Sequence, residues 1–183
     1  MRIAQIISKV QNGRMDLPYP ICEFTQIAPQ HIPFSESVRK ACEQNACGCY
    51  GKYWSCPPGA GSLEENKQRL LKYKNAFVYT TKHQLEDSFD ADGMENGRKQ
   101  HSKIDSALTK LLSDSGELFE ILGTEGCSRC ENCTYPDSPC RFPKTMHLSM
   151  EATGMNVVEL ASQTGLHYYN GVNTVTYFSM ILF

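Results

Sequence analysis

The sequence predicts an α/β domain in which a central sheet of about five strands is flanked by helices. Three observations lead to this prediction. Segments rich in β-branched and aromatic residues alternate along the chain with segments that have the apolar spacing of helices. The chain has 183 residues, a length that fits one domain spanning 1–183. Its cysteines are concentrated in two segments rich in glycine, proline and polar residues, a composition typical of loops.

Five segments are predicted as strands. Most are rich in isoleucine, valine, tyrosine, phenylalanine or threonine, and glycine or proline bounds several of them. The last one is apolar on both faces, which favours a central and buried position in the sheet. In chain order the predicted strands are Arg2–Val10, Ile21–Ala28, Ala76–Thr81, Leu118–Leu122 and Asn173–Phe183.

Four segments are predicted as helices from their capping residues or apolar spacing. Ser62 and Glu65 form a capping box that opens the second helix, which is expected to end near Asn75. The acidic segment 87–97 is predicted to be a solvated loop, because its acidic positions do not fit the register of a calcium-binding loop. The other helices are predicted from Ser35 through Ala41, from about Glu95 to Leu112, and from Asn156 to a stop at Gly165.

Composition and charge argue against several functional classes. The net charge is −2 and the 18 basic residues are scattered, so the chain lacks the basic patch of a nucleic-acid-binding protein. No run of 18 apolar residues is present, which predicts no membrane span. The first residues do not form a signal peptide, so a reducing cytoplasm is the expected location. In that compartment nine cysteines, an odd number, are better explained as metal ligands than as disulfides.

The clearest motif is a run of four cysteines with the spacing C-x2-C-x2-C-x6-C. Three cysteines spaced three apart allow one short loop to reach three corners of a compact inorganic core, and the fourth arrives after a proline-stiffened turn. Iron–sulfur clusters are held in this way, whereas zinc sites usually gather two separated C-x2-C pairs. The spacing therefore favours an iron–sulfur cluster over zinc. The members of this 127–140 group are Cys127, Cys130, Cys133 and Cys140.

A second group of cysteines follows the first predicted helix with the spacing C-x4-C-x-C-x6-C. Its last member precedes two prolines, which resembles the proline that commonly follows a final cluster ligand. Cys42, Cys47 and Cys56 are the firmer candidate ligands of this 42–56 group. Cys49 lies only two residues after Cys47, so a tetrahedral zinc site that used both cysteines would be strained. Cys49 is therefore either a further ligand of a larger cluster or a bystander.

Two features near these groups have alternative interpretations. Tyr50, Tyr53 and Trp54 either form an apolar lid that limits solvent access to the metal or belong to the ordinary core. Cys22 lies inside a predicted strand and is interpreted as a small buried hydrophobic residue rather than a ligand.

The motifs together resemble a known family. From about residue 35 to the C-terminus the chain is similar to prokaryotic proteins described as predicted metal-binding, which share a cysteine-rich domain of unknown function. Cys49 departs from the pattern of that family. The resemblance implies metal binding, typically in anaerobic bacteria and archaea, and supplies no reaction. The residues that carry it are Cys42, Cys47, Tyr50-Gly51, Trp54, Cys56-Pro57-Pro58, Cys127, Cys130, Cys133, Pro139-Cys140-Arg141-Phe142-Pro143, Ser149-Met150-Glu151-Ala152, Gly154, Val157 and the closing strand.

Two functional hypotheses follow. In the first, one or two [4Fe-4S] clusters transfer electrons to a redox partner protein. A three-cysteine site in the 42–56 group would leave one iron open to substrate, with Glu151, His147 or Arg141 nearby. In the second, zinc stabilises the loops of a binding domain without redox activity. No phosphate loop, dinucleotide fingerprint or nucleophile elbow points to an enzyme class. The two cysteine loops are expected to emerge near one another, and separate loops would rule out an electron relay between them.

Overall fold

Five strands form one mixed sheet with the order β1-β2-β5-β3-β4. The computed structural model describes residues 1–183. All neighbouring strands are antiparallel except β3 and β4, which are parallel. The closing strand β5 lies in the middle of the sheet, as its two apolar faces predict. The strands are β1 (Glu23–Ile27), β2 (Ala76–Gln84), β3 (Glu120–Gly123), β4 (Leu148–Ser149) and β5 (Thr174–Leu182).

Five α-helices flank the sheet and confirm the predicted α/β class. Two single 3₁₀ turns, at Pro29–His31 and Glu151–Thr153, complete the regular structure. None of the helices combines the length and the apolar character that crossing a membrane requires. The helices are α1 (Ile3–Gln11), α2 (Glu36–Glu43), α3 (Leu63–Leu70), α4 (Ala91–Ser113) and α5 (Val157–Thr164).

Each face of the sheet has its own hydrophobic core. Because side chains alternate between the faces of a strand, Ala76 and Val78 of β2 point to one side, and Phe77 and Tyr79 point to the other. The first side packs against α3 and α5 in a cluster of 15 buried residues. The second side packs against α1 and α4 in a cluster of 11 buried residues. The protein is therefore a three-layer α/β/α structure.

The first predicted strand is wrong, since residues 3–11 form helix α1. Ile3, Ile6, Ile7 and Val10 recur at the helical spacing i, i+3, i+4 and i+7, and all four are buried on one side. The fifth strand of the sheet is instead the two-residue β4, which residues 148–149 form beside β3.

The largest remaining differences from the predictions are at three element boundaries. Helix α4 begins at Ala91, because the Asp90 carboxylate accepts a hydrogen bond from the backbone N–H of Gly93 and caps it. Part of the segment 87–97 is therefore helical rather than loop. Helix α3 begins at the predicted capping box but ends at Leu70 instead of near Asn75. Strand β2 continues three residues beyond Thr81, to Gln84.

Candidate metal centre

The 127–140 group lies in the long connection between β3 and β4. Because these strands are parallel neighbours, the connection must leave one end of the sheet and return to the other end of the adjacent strand. The backbone N–H of Met150 donates to the carbonyl of Gly123 over 3.0 Å and fixes the return. Both ends of the cysteine loop are thus held by a rigid scaffold, as functional loops commonly are.

All four cysteines of the 127–140 group line one pocket. The pocket has a volume of about 370 Å³, including the solvent at its mouth. The four thiols are half-buried and none is in a disulfide. Aromatic, apolar and cationic side chains complete the wall around the four thiols. The other lining residues are Tyr53, Trp54, Ser55, Arg129, Thr134, Arg141, Phe142 and Met146.

Hydrogen bonds inside this loop order its backbone around the pocket. The Thr134 hydroxyl donates to the carbonyl of Pro139 over 2.9 Å, and the Arg141 guanidinium donates to the carbonyl of Asn132 over 2.8 Å. The backbone N–H of Phe142 donates to Cys140 Sγ over 3.4 Å. A hydrogen bond of this kind stabilises a thiolate and tunes the properties of a metal bound to it.

Arg129 adds a cation beside the same pocket. Its guanidinium carbon lies 4.5 Å from the centroid of the Phe142 ring, within the range of a cation–π contact. With Arg141, it places two guanidinium groups on the wall of a pocket that holds four thiols. Positive charge of this kind would offset the negative charge of a metal centre bound by four thiolates.

The 42–56 group occupies the connection between α2 and α3. Helix α2 is capped by Ser35 as predicted, and it carries Cys42 near its end. Two left-handed residues follow, Asn45 at φ 55° and Gly48 at φ 73°, and they fold the chain back sharply. The Asn45 side-chain oxygen then accepts a hydrogen bond from the N–H of Tyr50 over 2.9 Å.

The thiols of the 42–56 group are electrostatic neighbours. Burial, together with the negative charges that Cys49, Cys47 and Cys42 would carry, raises the pKa of Cys56 to about 11. Burial and the charge of Cys47 also raise the pKa of Cys49. Neighbouring thiols oppose one another's ionisation, whereas a bound cation would reverse these shifts. The chemistry of this donor set suits a metal.

The two cysteine loops contact one another, as predicted. The backbone N–H of Cys127 donates to Ser55 Oγ over 3.0 Å. A Cβ atom added to Gly126 would lie 3.0 Å from Ser55 Oγ and 3.4 Å from Cys56 Sγ, so a larger residue would press on the Ser55 and Cys56 side chains. The Trp54 indole N–H donates to the carbonyl of Ser138 over 3.0 Å. Cysteines of the 127–140 group alone line the pocket, and the 42–56 group adjoins it.

The thiols fit a metal in their chemistry, but the loops are more open than a loaded site requires. No three side chains among the cysteines, histidines, aspartates and glutamates are positioned to hold one metal ion together. Metal binding therefore requires the Sγ atoms of a group to move closer. Glycine-rich and polar loops allow this movement more easily than the packed sheet does.

The family to which these loops belong is shown by sequence comparison. The sequence profile of the family described as "Predicted metal-binding protein (DUF2284)" matches residues 25–183. The chain belongs to this family. The match includes all eight cysteines of the two groups and leaves out α1 and Cys22. No curated protein and no solved structure matches the chain at a significant level.

The structure corrects the interpretation of Cys22. The residue was expected to be buried, but its side chain is exposed. It precedes β1, an edge strand, and the alternation of that strand turns Cys22, Phe24 and Gln26 towards solvent. Cys22 also lies outside the part of the chain that the family profile matches.

The other nominated residues lie around the two loops. Tyr53 and Trp54 line the pocket of the 127–140 group rather than covering the 42–56 group, to which they are adjacent in sequence. Arg141 lines the same pocket. Burial raises the pKa of the Cys42 thiol and the charge of Glu151 adds to this increase, which places Glu151 near the 42–56 group. His147 is half-buried in a neighbouring polar pocket.

Sequence reasoning missed three residues of the site. Ser55 joins the two loops, Arg129 brings a cation, and Phe142 holds that cation over its ring. Phe142 belongs to the Pro139–Pro143 motif, but the motif does not reveal its contact with Arg129. A close contact at Gly126 could have been inferred from its position directly before Cys127, since a glycine next to a ligand often marks a tight backbone approach.

Proposed function

We propose that the 127–140 group binds a [4Fe-4S] cluster and that the protein transfers electrons to or from a partner protein. The observation that carries this proposal is that all four thiols of a ferredoxin-like spacing line one pocket. Membership of a metal-binding family supports the coarser part, that the chain binds a metal.

The wall of the pocket suits a negatively charged metal centre. A cluster bound by four thiolates carries net negative charge, and Arg129 and Arg141 provide two cations to offset it. The N–H donated to Cys140 Sγ and the aromatic side chains of Trp54 and Phe142 are the kinds of group that set the potential of a cluster.

The 42–56 group is the proposed site of a second cluster. Cys42, Cys47 and Cys56 are the proposed ligands, with Cys49 as a fourth. The mutual effect of these thiols on their pKa values supports a common site, because each must lie near the others to exert it. The contact between Ser55 and Cys127 joins the two loops, so electrons that enter at one group have a short path to the other.

The proposal includes a reducing location, the cytoplasm, and a partner that exchanges electrons. Nine free thiols, five of them outside the pocket, stay available to metals only where they are not oxidised. The mouth of the cysteine pocket is the proposed point of electron exchange, since the thiols there are half-buried rather than enclosed.

The alternative function is that of a zinc-stabilised binding domain. It is favoured by the same four thiols, because a closed tetrahedral site of four cysteine ligands holds zinc without further help. Under this alternative the contact between the loops is scaffolding, and no electron transfer occurs.

The test is metal and sulfide analysis with an ultraviolet–visible spectrum, on protein purified without oxygen. Two clusters give about eight irons and eight sulfides per chain, with broad absorbance that bleaches on reduction. Cys130→Ser is expected to lower the iron content by about half, and Cys22→Ser, which removes an exposed thiol outside both groups, is the matched control. Stoichiometric zinc without sulfide would overturn the cluster proposal in favour of the alternative.

A further inference from the structure

A line of buried polar side chains crosses the sheet beneath α4. Thr81 and His83 come from β2, Ser179 from β5, and His101 and Asp105 from α4. Period-two alternation turns the strand residues to the α4 side, and the i, i+4 spacing turns the two helix residues towards them. Thr81, His101 and Ser179 are fully buried, His83 is 5% exposed, and the Asp105 side chain is 13% exposed.

Four hydrogen bonds join these five side chains in series. His83 Nε2 lies 2.8 Å from Thr81 Oγ1, which lies 2.8 Å from His101 Nδ1. His101 Nε2 in turn lies 2.8 Å from Ser179 Oγ. Ser179 Oγ donates to Asp105 Oδ2 over 3.0 Å, and the Tyr79 hydroxyl donates to the other carboxylate oxygen. No fully buried atom in this series lacks a hydrogen-bond partner.

The direction of every bond follows from its end at Asp105. A carboxylate only accepts, so the single Ser179 hydrogen points to Asp105, and His101 Nε2–H must donate to Ser179. A neutral imidazole with its proton on Nε2 accepts at Nδ1, so Thr81 donates to His101 there. Thr81 has then used its hydrogen and must accept from His83 Nε2–H. All four hydrogens therefore point from His83 towards Asp105.

The Asp105 end of the series opens into a polar pocket. A Cβ atom added to Gly123 would lie 2.8 Å from Asp105 Oδ2, so the glycine makes room for the carboxylate. Ser128 and Gly126 also line this pocket, and they flank Cys127 of the cysteine loop. The remaining lining residues are Ser102, Ser106, Ile121, Glu125 and His147.

The opposite end lies under the ring of Tyr19. The centroids of the Tyr19 and His83 rings are 4.4 Å apart and the rings are stacked. Tyr19 belongs to the connection between α1 and β1 and is itself half-buried. The Tyr19 ring thus covers the His83 ring on this side.

We propose that these five side chains form a proton relay that connects the surface under Tyr19 with the polar pocket beside the cysteine loop. A proton taken up at His83 Nδ1 shifts the four hydrogens by one bond each, and Asp105 receives the last one. Asp105 then donates it to a water molecule or an uncharged polar ligand in the pocket, with no electron transferred. An uncharged ligand suits the pocket because Glu125 is already paired with Arg98. This relay does not depend on the identity of the metal.

The ionisation of the groups fits this role. Burial raises the pKa of Asp105 to about 6, despite the hydrogen bonds from Tyr79 and Ser179, so the carboxyl gains and loses a proton near neutral pH. Burial lowers the pKa of His101 to about 3, so its ring remains neutral. A neutral imidazole ring passes a proton on when one nitrogen accepts a proton and the other nitrogen releases its own.

The experiment measures by NMR how fast the His101 Nε2 proton exchanges with water in the full-length, ¹⁵N-histidine-labelled protein. The resonance is assigned by its absence in His101→Gln. Thr81→Val keeps the shape of the side chain and removes the hydroxyl between the two rings. The relay predicts that exchange slows by roughly tenfold or more, the factor expected when one hydrogen bond is lost from the transfer path. Thr80→Val, at an equally buried position outside the relay, is the matched control and leaves the rate unchanged.

If the network is purely structural, Thr81→Val should make the His101 Nε2 proton exchange faster rather than slower. Exchange would then require local opening, and Thr81→Val leaves His101 Nδ1 without a donor, which makes opening easier and exchange faster. A faster rate, or a rate equal to that of the control, would overturn the relay. Ser179→Ala interrupts the series on the other side of His101 and provides a second trial with the same expected slowing. The ¹⁵N shifts must also show the proton on Nε2, and a proton on Nδ1 would contradict the derived direction.

Discussion

Replacement of Asp105 by asparagine is expected to change how the stability of the protein depends on pH. Burial raises the pKa of Asp105 from 3.8 to about 6. The folded protein therefore keeps a proton that the unfolded chain has released between about pH 4 and 6, and stability falls as the pH rises through that window. Two pKa units correspond to about 3 kcal/mol. Asparagine does not titrate, so the variant escapes this loss.

The measured quantity is the difference in unfolding free energy between Asp105→Asn and the wild type, from urea titrations at several pH values. The difference should rise in favour of the variant by about 3 kcal/mol between pH 4 and 7 and then level off. Asp114→Asn removes an exposed carboxylate at the end of the same helix and is the control for lost charge. If the unfolding free energies of the variant and the wild type depend on pH in the same way, the raised pKa of Asp105 is refuted. A difference of opposite sign would mean that the donors Tyr79 and Ser179 outweigh burial.

Three further predictions concern the capping box and the cysteine loops. Ser62→Ala removes the cap of α3 and should cost about 1 kcal/mol of unfolding free energy, measured by urea titration. Gly126→Ala places a methyl group 3.0 Å from Ser55 Oγ and should lower the metal content, measured by elemental analysis, while leaving the sheet intact. Metal removal should make residues 124–147 sensitive to limited proteolysis without loss of far-ultraviolet circular dichroism, because the buried residues of both cores lie outside that loop.

The sequence predicted most of the elements because their local patterns were strong. Capping residues located the starts of three helices, and the apolar character of both faces of β5 placed it at the centre of the sheet. At residues 2–10 the isoleucine-rich composition favours a strand, whereas the spacing of the apolar residues favours the helix that forms. The order of burial, i, i+3, i+4 and i+7, is helical. Strand β4 has two residues and carries no periodic pattern at all.

The sites were predictable only where one short segment contains them. The spacing within each cysteine group is local, so both groups can be recognised in the sequence. The contact between the two loops was a prediction from the expected fold. The bond between Trp54 and Ser138 joins residues 84 apart, and that between His101 and Ser179 joins residues 78 apart. Such pairs depend on the order of the strands, which periodicity does not determine. Periodicity places His101 and Asp105 on the buried face of α4, but it does not reveal their partners.

The segment that follows β3 separates the cysteine pocket from the polar pocket. Cys127 and Arg129 line the first, whereas Gly126 and Ser128 line the second. Side chains that alternate along an extended stretch point to opposite sides, so one short segment supplies walls to both spaces. Electrons that the proposed cluster carries and protons that the proposed relay carries would thus arrive on opposite sides of one backbone segment.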